Sequence, residues 1–173
     1  DADLERRLML DEWVYRPGLP ANVWRPDPAA FADVDRAVTA FTGGAAVDAA
    51  AFSGWTTAER LRFLNRLPRR LPTARLAELD GALHLSAIGN NEVLFAWLNL
   101  ALGNRYDPAV APAERFLASV GRRKFVLPLF ETLMAQGDWG QPIARRIYVR
   151  TRGGYHAVTR GSVDRVVGVP GAR

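Results

Sequence analysis

Apolar side chains recur at three- and four-residue spacing along most of the chain, and Gly or Pro cuts each run short. That pattern builds short amphipathic helices. No useful stretch alternates apolar with polar residues, so nothing is left for a sheet. Phe31, Val34, Val38 and Phe41 share one face, and Gly43-Gly44 ends their run. Thr56-Thr57-Ala58-Glu59 has the spacing of a capping box, in which Thr56 and Glu59 each satisfy a free amide at a helix start. The helix behind it carries Leu61, Leu64 and Leu67 and stops before Pro68. Thr73 opens the next, with Leu76, Leu79 and Leu83 facing inward. Asn91 is expected to cap a helix striped by Leu94, Trp97, Leu98 and Ala101 and ended by Gly103.

Further along, Pro112 suits the first turn of a helix closed by Gly121, because its missing N–H costs nothing there. Another helix is predicted from about Arg123 to Met134, with Pro128 early in it. Pro142 is expected to start one that ends near Arg150, and the remainder after Gly153 to hold one short helix and a frayed tail. At the other end, Leu4 to Trp13 reads as a helix stopped by Arg16-Pro17-Gly18-Leu19-Pro20. Extended chain follows, with Trp24 available to pin it to apolar surface. Short connections make neighbouring helices antiparallel. The expected fold is all-α: a superhelix of antiparallel helix pairs, an α-solenoid of the armadillo/HEAT kind, over residues 29–173. Residues 1–28 form a linker that leads into it.

The chain has 173 residues, 49% of them hydrophobic and 24% charged. A domain of this size buries roughly 70% of the surface its unfolded chain exposes, so it needs no disulfide or metal staple. Disordered, collagenous and disulfide-scaffold classes are excluded. No run approaches the roughly 18 apolar residues of a membrane-spanning helix, and no signal-peptide pattern is present. A chain opening on Asp1 is expected to be a piece of a longer protein. Its compartment is expected to be cytoplasmic, with any leader lying outside this sequence.

Cysteine is absent, which removes thiol catalysis, disulfides and thiolate zinc sites. Only two histidines occur. Leu-Ser-Ala-Ile follows His84 and Ala-Val-Thr-Arg follows His156, so neither begins His-Glu-x-x-His. His84 reads as a partly buried structural side chain. There is no Gly-x-Ser-x-Gly elbow, dinucleotide fingerprint or P-loop. No catalytic residue and no metal or other cofactor site is assigned to this chain, which by itself is expected to be folded, metal-free and inactive.

Charge is where the sequence becomes specific. Residues 1–120 carry 13 basic and 15 acidic side chains, whereas residues 121–173 carry 10 basic and 3 acidic, a net of +7. Such a basic end suits an anionic partner. Arg145, Arg146, Arg150, Arg152, Arg160 and Arg165 could meet phosphates, yet no aromatic platform for bases accompanies them, and solvated helix faces account for them better. A nucleic-acid partner is therefore disfavoured.

Gly121-Arg122-Arg123-Lys124-Phe125 is more pointed, because Lys124 is the single lysine among 23 basic residues. One helix ends there and another begins. Arg122 and Lys124, as alternate residues, would point the same way where the chain is extended. A guanidinium fork and an ammonium side by side make a carboxylate receptor. A solvated basic corner is the plain alternative, and spacing alone leaves both open. Cations clustered at a helix N-terminus oppose its dipole, so stability gives no reason for them.

Four segments carry a resemblance. Trp13-Val14-Tyr15-Arg16-Pro17-Gly18-Leu19-Pro20 resembles the W-x-Y-x-P-G-L-P segment of the leukotriene A(4) hydrolase/aminopeptidase family. Asn90-Asn91-Glu92-Val93-Leu94-Phe95-Ala96-Trp97-Leu98 is similar to its N-N-x-E helix start and R-F-x-W-L run. Gly121 to Phe130 matches G-R-x-K-F-x-x-P-L-F. Tyr155-His156-Ala157-Val158-Thr159 resembles a Y/M-H-P-V-T ending, with Ala157 in place of the proline. Residues 30–85 match only in helical character.

The resemblance implies that this chain is the C-terminal helical domain of a zinc aminopeptidase, joined through residues 1–28 to a catalytic domain upstream. That domain of the same polypeptide would hold the zinc, its His-Glu-x-x-His ligands and the general base. This chain would form one wall of the cleft, and Arg122 and Lys124 would bind the carboxylate of short peptide substrates. A stand-alone helical-repeat module that binds another protein is the alternative.

Overall fold

The computed structural model describes residues 2–23 and 28–169; Trp24 and the last four residues lie outside the described residues. The chain divides into two compact units, Asp1–Ala32 and Asp33–Arg173.

In the first unit the predicted single helix is two: α1 (Ala2–Leu8) and α2 (Leu10–Tyr15). Met9 separates them with a left-handed backbone, φ 54° and ψ 42°. The Trp13 indole donates to Asn22 Oδ1 at 3.1 Å, and the Asn22 amide donates to the Leu8 carbonyl at 2.9 Å. Those two bonds fold the Pro17–Pro20 segment back along α2. None of the side chains of α2 is buried.

The second unit takes in α3 (Ala32–Thr42) from its second residue on, then α4 (Ala49–Gly54), α5 (Thr57–Arg66), α6 (Thr73–Leu83) and α7 (Asn91–Gly103). It continues with α8 (Val110–Ser119), α9 (Arg123–Met134), α10 (Gly137–Thr151) and α11 (Ala157–Val167). Among the described residues there is no strand. In one row α5 lies on α7, α7 on α9, and α9 on α11; beside it α4 packs on α6, and α8 on α10. The α8–α10 pair joins the row where α8 meets α7 and α10 meets α9 and α11. This is the layered helix-pair plan expected of the sequence.

Local sequence explains most of the boundaries. At α5 the capping box is complete: the Thr56 hydroxyl accepts from the Glu59 amide, and the Glu59 carboxylate accepts from the Thr56 amide at 2.7 Å. The α9 limits agree with those predicted. Three boundaries differ. Asn90, not Asn91, caps α7, its side chain accepting from the amides of Glu92 and Val93. Next, α10 starts at Gly137, five residues before Pro142, because Gly137 takes the left-handed φ of 58° that starts the new helix directly after α9. The third is α4, which sequence periodicity did not reveal: it is one and a half turns of Ala-Ala-Ala-Phe-Ser-Gly, capped by Asp48.

The core is centred on α7, which buries Val93, Ala96, Trp97, Leu98, Leu100, Ala101 and Leu102. Fully enclosed Trp97 donates its indole N–H to Ser86 Oγ at 3.0 Å, and Ser86 donates to Asp80 at 2.8 Å. The polar edge of the largest core side chain is thereby satisfied. On α9, Phe125, Val126, Leu129, Phe130 and Leu133 face the same core.

Candidate functional site

The basic corner sits at the start of α9. After α8 the chain is extended at Val120, passes through Gly121, and reaches Arg122 at φ −70° and ψ 121°. Two bonds tie the end of α8 and this connection to the α11 side. The Tyr155 hydroxyl donates to the Leu117 carbonyl at 2.8 Å, and the Thr159 hydroxyl donates to the Gly121 carbonyl at 3.4 Å. Arg122 is the N-cap of α9, where its carbonyl accepts from the Phe125 and Val126 amides at 2.9 and 3.1 Å. It offers no side-chain cap, so the first amides of α9 add their partial positive charge to the corner.

Only Arg122 is extended; Arg123 and Lys124 are already helical. Period-two alternation is therefore not what relates Arg122 to Lys124. The Phe125 ring relates them instead. Phe125 is 3% exposed and packs against Phe95 and Phe116, with centroids 5.3 and 5.8 Å away. The Arg122 guanidinium carbon lies 5.8 Å and the Lys124 ammonium 4.5 Å from its centroid. Both cations thus project from exposed positions beside one fixed aromatic ring, a contact that favours each of them modestly.

Their partners differ. Arg123 turns toward α11 and donates from Nε to Ser162 Oγ at 2.9 Å. Lys124 forms an ion pair with Glu92 in the first turn of α7. Among the described residues, no hydrogen bond or ion pair holds the Arg122 guanidinium. The corner therefore presents one guanidinium with its donors open to solvent and one ammonium partly neutralised. A guanidinium fork with open donors is the kind of group that pairs with a carboxylate. Glu92 was within the quoted sequence motif, but nothing local marks it as a partner of a residue 32 positions later.

The remaining sequence candidates are separate from this corner. His84 is exposed at the left-handed C-cap of α6, in contrast to the expectation of partial burial. His156 caps α11, with Nδ1 accepting from the Val158 amide at 3.3 Å. Among the described residues, no three His, Cys, Asp or Glu side chains come together to hold a metal, and no helix is long and apolar enough to cross a membrane. Of the C-terminal arginines, Arg146 and Arg150 reach Glu114, and Arg152 reaches Asp164.

One cleft was not legible in the sequence. It encloses about 460 Å³ between α3, α4 and α5, with Phe41, Phe52, Trp55 and Phe63 as its aromatic wall. The Asp33–Arg36 ion pair and Asp48 stand among its polar lining.

Comparison with known proteins agrees with the geometry at the level of fold and family. Residues 55–167 match the family described as "Leukotriene A4 hydrolase, C-terminal". Aminopeptidase B of Mus musculus is 24% identical over 166 residues, covering 91% of this chain and 26% of the mouse protein. The Homo sapiens aminopeptidase B is 25% identical over 130 residues, 73% of this chain and 20% of that protein. Among solved structures, native yeast LTA4 hydrolase superposes with a TM-score of 0.67 at 19% identity, over 92% of this chain and 29% of its own. A second native structure of the Saccharomyces cerevisiae enzyme gives 0.63 at 19% identity, over 96% and 31%. The chain thus spans about a quarter of the length of the relatives it matches. With the match running from α5 through α11, the chain belongs to the leukotriene A4 hydrolase C-terminal domain family.

Proposed function

We propose that this chain is the substrate-anchoring domain of an aminopeptidase, forming one wall of its cleft and holding the free C-terminus of short peptides with Arg122 and Lys124. The observation that carries this reading is the unengaged Arg122 guanidinium beside Lys124 on the buried Phe125 ring. Arg122 has no hydrogen-bond or ion-pair partner among the described residues, so its fork is available to a ligand. Its family membership and its likeness to aminopeptidase B support the reaction class.

In this reading the clamp acts as a ruler. A carboxylate fixed at Arg122 places the scissile bond of a peptide of suitable length at a constant distance from the reacting groups. Remote binding energy is thereby converted into orientation. The described residues offer no cluster of metal ligands. The zinc implied by the resemblance would be held by the catalytic domain, and no step here depends on its geometry.

The test is an NMR titration of the 15N-labelled chain with acetyl-Ala-Ala-Ala as the free acid and as the amide. The acid is expected to shift the Gly121, Arg122 and Phe125 amides in a saturable way, and Arg122→Ala to abolish that response. Equal responses to acid and amide would overturn the carboxylate assignment.

A further inference from the structure

Two helix N-termini meet at the corner, and each contributes charge of its own. The α9 start supplies Arg122, Arg123 and Lys124; the α7 start supplies Glu92. The Glu92 carboxylate is not required to cap α7, because the Asn90 side chain already accepts from the Glu92 and Val93 amides at 3.0 and 3.3 Å. Its partner is Lys124 on the neighbouring helix, and the pair is half-exposed, with side chains 42% and 47% accessible. Arg123 is directed to Ser162 and away from this pair. Ser162 is neutral, so Arg123 keeps its charge outside the pair; at the clamp itself stand two cations, Arg122 and Lys124, and one anion, Glu92.

We infer that Glu92 makes the clamp selective for a single negative charge: it admits one terminal carboxylate and disfavours peptides whose last residue is Asp or Glu. This rests on the assignment of Arg122 and Lys124 as the carboxylate site. A carboxylate that reaches Lys124 must approach the Glu92 oxygen bonded to the same ammonium. One terminal carboxylate can settle on Arg122 and share Lys124 from its free side. A second carboxylate on the same residue finds one side of Lys124 already taken and meets Glu92 as a like charge. Two carboxylates about 5 Å apart at a protein surface repel enough for a roughly fivefold loss of binding, screened further by salt. The substrate class that follows is short peptides with a neutral or basic C-terminal residue.

The experiment uses the whole 173-residue chain with three probes: acetyl-Ala-Ala-Ala acid, its amide, and acetyl-Ala-Ala-Glu acid. Binding is read from the Gly121 and Phe125 amide shifts in low salt. The native chain is expected to bind the Ala-ended acid about fivefold more tightly than the Glu-ended one. Glu92→Gln should bring that ratio close to one and tighten both acids, and Glu92→Asp should restore it in part. An unchanged ratio in Glu92→Gln, with the acid still preferred over the amide, would overturn the role of Glu92 while leaving the clamp intact. A native chain that does not distinguish acid from amide would overturn the clamp, and the selectivity with it. Unchanged amide shifts in α5 and α10 of Glu92→Gln would show that its effect is not a general loss of structure.

Discussion

Arg152 holds both carboxylate oxygens of Asp164, with Nε 2.7 Å from Oδ1 and Nη2 2.9 Å from Oδ2. Asp164 is 5% exposed, and the Tyr148 hydroxyl donates to the same Oδ1 at 2.6 Å. The end of α10 and the middle of α11 are locked together by this cluster. Since Thr159 of α11 also bonds the Gly121 carbonyl, the lock bears on how the basic corner is held.

Asp164→Ala is expected to cost about 2–3 kcal/mol, the scale of hydrogen bonds to a charged group, because Tyr148 and Arg152 lose their shared acceptor. The bond from Arg152, followed by that from Tyr148, holds the Asp164 carboxyl below its ordinary value of 3.8 against the opposing effect of burial. The associated stability is present above that ordinary value and is lost as pH falls through the lower folded value. Thermal melts at a series of acid pH values should therefore show a steeper decline for the native chain than for Asp164→Asn. Parallel declines would contradict the assignment.

Two glycines should respond oppositely to alanine. At Gly140 a Cβ would collide with the Leu133 carbonyl, a backbone atom that cannot swing away, so α10 must move off the end of α9. Gly140→Ala is expected to destabilise by about 1–3 kcal/mol. Gly161, in α11, has open space around it, and Gly161→Ala should stabilise by up to about 1 kcal/mol through helix propensity. Urea unfolding of both variants checks the pair.

The cap of α7 gives a test of register. Asn90→Ala removes the acceptor for two amides and should cost about 1 kcal/mol, whereas Asn91→Ala, one residue later and exposed, should be near neutral. Chemical denaturation of the two single variants distinguishes them.

In a longer protein that joins this domain to a catalytic one, Arg122→Ala is expected to lower kcat/KM on free-acid peptides by the equivalent of about 1.5–3 kcal/mol. Peptides with an amidated C-terminus should show no such loss. Steady-state kinetics on matched acid and amide substrates decide the matter, and equal losses on both would remove Arg122 from the carboxylate site.

How much was legible in the sequence follows from how local each signal is. Thr56 and Glu59 satisfy each other within one turn, so their box could be read directly. The α9 limits were equally plain, since Gly121 and Gly137 bracket a run of inward residues. Met9 was not legible as a break: nothing in the neighbouring residues demands a left-handed backbone at a methionine. Nor was α4, whose six residues are too few for a period to show.

By itself the sequence determined an all-α chain, the places where most helices start and stop, and the presence of a cationic cluster at one helix N-terminus. These depend on backbone amides and side chains within a turn of one another. Only the tertiary structure decided which cations stay open. The packing of α7 on α9 brings Glu92 to Lys124, and the packing of α11 on α9 brings Ser162 to Arg123. Phe125, buried between Phe95 and Phe116, sets where Arg122 and Lys124 stand. Contacts across 32 and 39 positions depend on how helices seat against one another, and that is settled by the shape of the whole core.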